Sequence, residues 1–293
     1  MSAARPSSRP AGLGAAAPAL LALAAALASC GDSPGGGLVC NGHAELCDRR
    51  FDQVAFPGTH NSMSNQDEGW LVPNQIHGLT RQLEDGVRVF LIDTHYDGGA
   101  TYLCHELCEL GKIPLVDALT KFRVFLDAHP AEVITFVIEN GISNADTEAA
   151  FVAADLVKYT YVHPAGESWP TLRELIRRGT RLLVMAETGH PPPAWYQYAY
   201  DLSWDTPYSF ASPADFSCAL NRGVKSNPLF QINHWLSTPL SLPQNAEEVN
   251  PFAVLWPRVE QCRREAGRIP NFIAVDFYSI GDLFRVVDRL NGF

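Results

Sequence analysis

The run Val87-Arg88-Val89-Phe90-Leu91-Ile92, opened by Asp85-Gly86 and closed by Asp93, decides the fold. β-branched and aromatic residues bounded by a turn predict a strand, expected over Val87 to Ile92. Its apolar character is nearly continuous instead of alternating, so both faces must be covered. That is the pattern of a parallel sheet clad by helices. Val133 to Ile138 repeats it, as do the shorter runs Leu182 to Met185, Phe230 to Ile232 and Phe272 to Val275. Between them lie segments of helical period: Leu79 to Leu83, Leu115 to Ala128, Ala149 to Val157, Leu172 to Arg178, Phe252 to Arg268 and Ile280 to Leu290. No GxGxxG or GKS/T loop follows the first strand, which disfavours a dinucleotide or P-loop fold. The expected class is α/β, a TIM-type barrel that is irregular because some helices are short or missing.

Polar residues cluster where the apolar runs end. Val54 to Phe56 leads into His60-Asn61, and Val87 to Ile92 into Asp93, His95 and Asp97. Tyr102-Leu103 precedes Cys104-His105, and Val133 to Ile138 ends in Glu139-Asn140. Leu182 to Met185 is followed by Glu187, and Phe272 to Val275 by Asp276. In a parallel barrel the C-terminal strand ends converge on one mouth, where such residues build a site.

At 293 residues, with 46% hydrophobic and 18% charged side chains, the chain can bury one large core. A formal net charge of −10 argues against a surface that tracks nucleic-acid phosphates. The opening residues are read as a targeting segment. Arg5 and Arg9 form a positive n-region, and the Ala/Leu run from Ala15 to Ala28 is too short to span a bilayer comfortably. The run ends in Leu27-Ala28-Ser29-Cys30, which resembles the lipobox of bacterial lipoproteins, with Cys30 as the lipidated residue. The expected organisation is a signal segment over 1–30, a flexible tether over 31–39 (Gly31 to Gly37 reads GDSPGGG) and a barrel domain over 40–293. The chain is expected to be exported, either anchored in a bacterial cell envelope or secreted; separately, a monomer is expected.

Six cysteines remain besides Cys30, an even number that suits up to three disulfides in an oxidising compartment. Fifteen connectivities are open. Cys40–Cys47, Cys104–Cys108 and Cys218–Cys262 require the least chain rearrangement. Zinc is the competing use of these cysteines, though their spacing does not repeat a zinc-ribbon pattern.

Phe56-Pro57-Gly58-Thr59-His60-Asn61-Ser62, Asn74-Gln75, Gln82-Leu83, Gly86-Val87-Arg88, Asp93, Leu103-Cys104-His105, Ile138-Glu139-Asn140 and Asn271 to Tyr278 together resemble the X domain of phosphatidylinositol-specific phospholipases C. The resemblance runs from about Cys40 to the C-terminus. It implies that His60 is a general base, that His105 protonates the leaving diacylglycerol oxygen, and that Asp276 orients the base. The products would be diacylglycerol and a cyclic inositol phosphate. Two imidazoles suit this chemistry because each must hold the opposite protonation state near neutral pH.

The resemblance also implies a metal. Asp93 stands where metal-free relatives carry an arginine. Asn61, Asp93 and Glu139 match ligands of the calcium-dependent branch, and three oxygens suit Ca²⁺ or Mg²⁺ completed by water and substrate. Leu91 stands where a further metal-binding glutamate is expected, which leaves open an enzyme without metal; His95 and Asp97 are the nearby residues that could compensate. Arg181, Glu187, Tyr208, His234 and Trp235 are the substrate candidates, Tyr208 for stacking on a sugar-like ring and His234-Trp235 for lining the mouth. The partners expected are a phospholipid and, through Cys30, a membrane surface. Two alternatives remain open: a related barrel phosphodiesterase acting on glycerophosphodiesters or sphingophospholipids, and a surface binding module that has lost turnover. A serine hydrolase is disfavoured because no apolar strand run leads into a G-x-S-x-G elbow; the one such string, Gly31 to Gly35, lies in the tether.

Overall fold

Side chains on a strand alternate between its two faces, and that period of two sorts this chain into a barrel interior and a helix-facing shell. The structure, a computed structural model, describes residues 37–237 and 240–293. The signal segment, Cys30 and the tether up to residue 36 lie outside the described residues. Residues Gly37–Phe293 form one unit.

In chain order the elements are β1 (Phe56–Thr59), α1 (Leu79–Asp85), β2 (Val89–Asp97), β3 (Ala100–Leu103), β4 (Ile113–Pro114), α2 (Leu115–Ala128), β5 (Ile134–Asn140), α3 (Asn144–Ala153) and β6 (Thr160–Tyr161). They continue as α4 (Leu172–Arg178), β7 (Leu182–Ala186), β8 (Tyr196–Tyr198), α5 (Ala199–Leu202), β9 (Ser203–Asp205), β10 (Leu229–His234), α6 (Pro243–Val249), α7 (Phe252–Ala266), β11 (Phe272–Val275) and α8 (Leu283–Asn291). The curled sheet has the order β6-β7-β5-β2-β1-β11-β10-β9, with β8 also on β7. All these pairings are parallel. Among the described residues β9 makes no strand pairing with β6 or β8, so the barrel is incompletely closed.

Along β2, Phe90 and Ile92 join the outer core with Phe136, Ile138, Val184 and Ile273, against the helices. Val89 and Leu91 join the inner core with Phe56, Val137, Met185, Phe272 and Ala274. Both faces are apolar, as the unbroken strand composition requires. The irregularity also has a clear origin. β9 reaches β10 through the segment 206–228, which contains no α-helix, and α5 between β8 and β9 is a single turn.

Several boundaries differ from expectation. The segment Tyr102-Leu103 is no barrel strand: β3 folds back antiparallel on β2, pairing Thr94 with Leu103 and Asp97 with Ala100. The helix expected over Ala149 to Val157 starts five residues earlier, because the Ser143 hydroxyl accepts from the Asp146 N–H and caps it. The α4 bounds agree with expectation; Thr171 and Glu174 form a capping box at its start and Gly179 ends it in left-handed geometry.

Three disulfides are present, Cys40–Cys47, Cys104–Cys108 and Cys218–Cys262, leaving none of these cysteines for zinc. Cys218–Cys262 ties the irregular 206–228 segment to α7, closing 44 residues of chain. The double variant Cys218→Ser/Cys262→Ser is therefore expected to lose about 2–4 kcal/mol of stability, read from urea unfolding, since the crosslink limits the unfolded ensemble. An unchanged unfolding midpoint would contradict that role.

Candidate active site

The inner-face positions continue upward past the strand ends. Leu91 is followed two residues on by Asp93, Val137 by Glu139, Met185 by Glu187 and Ala274 by Asp276. The same parity places Trp235 inside after Asn233. Register sharpens this: Asp93 pairs with Glu139 across β2 and β5, so the two carboxylates lie side by side. His60 arrives from β1, where its N–H donates to the carbonyl of Val275 at 3.0 Å, next to Asp276.

A cavity of about 280 Å³ is lined by His60, His105, Asn61, Asp93, Glu139, Tyr208 and Trp235. An adjoining space of about 110 Å³ adds Leu91, Glu187, Arg222 and Asn233. A larger, mostly apolar hollow of about 540 Å³ beside β8 and α5 contains none of these groups, so size alone does not mark the chemistry.

His60 is held on three sides. Its Nδ1 meets Asp276 Oδ1 at 2.8 Å, and Nε2 has no hydrogen-bond partner among the described residues. Its ring stacks on Trp235, with centroids 3.8 Å apart and planes within 5°. The Gln75 amide donates to its carbonyl at 2.8 Å. Asp276 is buried, and Asn74 Nδ2 and the Ser241 hydroxyl also donate to it. Asn74 Oδ1 in turn accepts from Asn61 Nδ2 at 3.2 Å, and among the described residues the Asn61 oxygen remains unspent. Gln82 spans the same turn, accepting from Thr59 Oγ1 and donating to the Ser62 carbonyl. Through these contacts Thr59, Ser62, Asn74, Gln75 and Gln82 together fix the loop that carries His60.

His105 comes from the antiparallel hairpin and sits inside the short loop closed by Cys104–Cys108. Burial lowers its pKa below the ordinary 6.5, and the neighbouring charge of His60 lowers it further, against Glu106, Asp276 and Glu139. Asp93 is raised well above the usual carboxylate range, by burial first and then by Glu139, Glu187 and Glu106.

A cation that sequence reading did not reveal also reaches the site. Arg222 donates to Glu187 at 2.7 Å and holds Asp205 through Nη2 at 2.6 Å and Nε at 3.0 Å. Its guanidinium also lies 4.9 Å from the centre of the Tyr208 ring. Burial alone would lower its pKa, but Glu187 and Asp205 outweigh burial and raise it. Burial raises Glu187, opposed by Arg222. Arg222 lies in the irregular 206–228 segment, outside any periodic pattern; only its pairing in space marks it.

Two substrate candidates are corrected. Arg181 precedes β7 at the end of the barrel away from the mouth, where it donates to the carbonyls of Leu126, His129 and Glu132 and caps the C-terminus of α2. His234 falls on the outward parity of β10: it is fully buried, with Nε2 on the Val249 carbonyl and Nδ1 on Arg258. Burial and Arg258 push it down to about 3. Neither reaches the cavity. Glu187, Tyr208 and Trp235 do. His95 and Asp97 do not line it, and Asp97 pairs with Lys112.

Among the described residues no group of three or more His, Cys, Asp or Glu side chains is gathered as a metal-ligand set. Asn61, Asp93 and Glu139 are two carboxylates and an amide. Asp93 is buried with like charges for neighbours and the Asn61 oxygen is unspent, so the donors fit a hard divalent cation completed by water or substrate.

The family model described as PI-PLC X 1 matches residues 46–291. A PI-PLC X domain-containing protein 1 from Arthroderma benhamiae is 32% identical over 278 residues, covering 87% of this chain and 90% of that protein. An uncharacterized secreted protein of the same fungus is 28% identical, and a PI-PLC X domain-containing protein of Arabidopsis thaliana 29%. The chain spans 64% and 62% of the lengths of those two. A solved phosphatidylinositol-specific phospholipase C of Staphylococcus aureus superposes with a TM-score of 0.58 at 14% identity, over 85% of this chain and 96% of that one, which shows the fold alone.

Replacing Arg222 with alanine leaves Glu187 and Asp205 buried without their cation. The expected cost is about 3 kcal/mol in chemical denaturation, reduced in the double variant Arg222→Ala/Glu187→Gln. Equal costs for the single and double variants would show that the pair does not couple.

Proposed function

This chain belongs to the PI-PLC X family, and from that premise we propose that it is a phosphodiesterase cleaving a phosphatidylinositol-type lipid to diacylglycerol and a cyclic inositol phosphate. The observation that carries the reading is the pairing of His60 with Asp276 across one cavity from His105.

In the proposed reaction His60 Nε2 takes the proton of the inositol hydroxyl beside the phosphate. The freed oxygen bonds to phosphorus, and the bond to the diacylglycerol oxygen breaks as that oxygen takes a proton from His105. Asp276 accepts from Nδ1 and stabilises the imidazolium that forms. Two positive imidazoles in one cavity repel, so His60 gains a proton as His105 gives one up. Asn61, Asp93 and Glu139 would hold Ca²⁺ or Mg²⁺. When bound, such an ion offsets the charge on the phosphoryl oxygens. Leu91 leaves that set one carboxylate short, and Arg222 is a cation supplied by the chain itself. Tyr208 and Trp235 line the cavity where the headgroup would sit.

Export with a lipid at Cys30 would hold such an enzyme at its substrate. The secreted description of one relative supports export. Among the described residues no helix is long and apolar enough to cross a membrane.

His60→Ala and His105→Ala are each expected to lower headgroup release from labelled phosphatidylinositol vesicles by about 10²–10⁴-fold. A product lacking a cyclic phosphate would favour direct hydrolysis by a related phosphodiesterase, and full activity in His105→Ala would remove its role as acid. Because His105 must donate a proton and its pKa is lowered, activity should fall as pH rises through a value below 6.5, seen as the alkaline limb of kcat/KM. A limb above 6.5 would contradict the assignment. Ca²⁺ is expected to raise the melting temperature at neutral pH in the parent but not in Asp93→Asn, and no rise in either would dismiss the metal.

A further inference from the structure

The two imidazoles of the cavity are held in opposite ways. His60 has a carboxylate on Nδ1, an indole against its ring and an amide on its carbonyl. Among the described residues the His105 side chain makes no hydrogen bond, ion pair or ring stack. The charged groups that face it act on it without bonding it: His60 after β1, Glu139 at the end of β5, Asp276 after β11 and its own neighbour Glu106. This difference suits the two roles. A base gains from an acceptor fixed on its far nitrogen, which stabilises the imidazolium it becomes. An acid bonded to a fixed carboxylate would keep its proton instead of passing it on. The place of His105 must therefore be set through its backbone.

That backbone is closed on itself. Cys104 and Cys108 stand four positions apart, and only His105, Glu106 and Leu107 lie between them. Both cysteines are buried in the outer core with Trp70, Leu103, Ile113 and Leu115. On the strand side the Cys104 N–H donates to the Asp93 carbonyl at 3.2 Å. On the other side Cys108 opens the single turn Cys108–Leu110. The next residue, Gly111, lies so close to Trp70 that a Cβ there would fall 2.4 Å from the indole. Both ends are thus fixed, and the span between them has little of its own. The Leu107 N–H donates to the His105 carbonyl at 2.6 Å inside the ring, while the Leu107 carbonyl serves the turn. Glu106 takes a φ of +52°, which a residue with a Cβ seldom adopts. Glu106 and Leu107 are exposed, so packing does not hold them. An open span of this kind would sample many conformations; closure between two anchored cysteines removes that freedom.

We infer that Cys104 and Cys108 are positioning residues for the reaction: their crosslink does for His105 what Asp276, Trp235 and Gln75 do for His60. It holds the imidazole at the leaving oxygen with no acceptor on either ring nitrogen. The inference rests on the proposed phosphodiesterase and goes beyond it, because the crosslink then acts on turnover and not on lipid binding. Opening it displaces the acid while His60 and Asp276 keep their places.

The test compares the full chain with Cys104→Ser/Cys108→Ser, by kinetics on phosphatidylinositol vesicles and by NMR relaxation of carbon-13-labelled histidine rings. The variant is expected to lose about ten- to a hundredfold in kcat with KM unchanged, since misplacing a reacting group by ~1 Å has an effect on that order. In a His105→Ala background the same cysteine change should lower kcat by less than about twofold, because the residue it positions is gone. An equal loss in both backgrounds would mean that the disulfide supports the fold in general, and overturns the inference. The order parameter of the His105 ring is expected to fall from about 0.85 to below about 0.6, with His60 unchanged. A His105 ring as rigid in the variant as in the parent overturns the inference as well. Should the double variant not fold, one glycine inserted after Leu107 keeps the crosslink and enlarges the ring. That chain is expected to lose about tenfold in kcat, and full activity in it would be equally decisive against the inference. A parent without turnover removes the phosphodiesterase reading, while ring relaxation still decides whether the disulfide holds His105.

Discussion

The hydrogen bond between His60 Nδ1 and Asp276 is the contact on which the site depends, because it joins the first barrel strand to the last. β1 and β11 lie side by side in parallel, with Thr59 opposite Val275, so the residue after each strand end meets the other. The chain must close 216 residues to make that single contact. Much of the fold near the mouth serves it: Gln75 and Asn74 hold the two ends, Trp235 fixes the ring plane, and Asn250 Nδ2 holds the Asp276 carbonyl.

Around this pair the site is rich in carboxylates. Asp93, Glu139, Glu187 and Asp205 reach inward from four strand ends, and Arg222 neutralises two of them. Among the described residues Asp93 and Glu139 have no such partner, and Asp93 is raised by burial and by like charges. An arginine paired on one wall and unpaired carboxylates on the other give a divided cavity. One half is electrostatically settled and the other sets two carboxylates side by side.

The interior of the sheet follows parity, but unbroken apolar runs do not say which face is inside; the packing of the two faces does. Once Val89 and Leu91 are placed inside, Asp93 must follow, and the same counting places Glu139, Glu187 and Asp276. Counting also rejects His234, which falls on the outward face one residue before Trp235. Arg181 shares the inward parity but precedes its strand, so it lies at the wrong end of the barrel. Composition alone does not show that distinction, because an arginine before a strand looks the same whether it caps a helix or faces a ligand.

The amino-acid sequence by itself determined a parallel α/β class, the sequence neighbourhood of His60, His105 and Asp276, and the cysteine pairs that need least rearrangement. These follow from local rules: apolar runs seek burial on both faces, and polar residues collect where the runs stop. Only the tertiary structure decided that His105 arrives on an antiparallel hairpin, that Arg222 neutralises Glu187 and Asp205, and that Ser241 touches Asp276. The physical reason is that loops such as 206–228 and 236–243 have no periodic pattern. Where their side chains go is set by charges and hydrogen-bond partners far away in the chain, and those meet only when the barrel has curled.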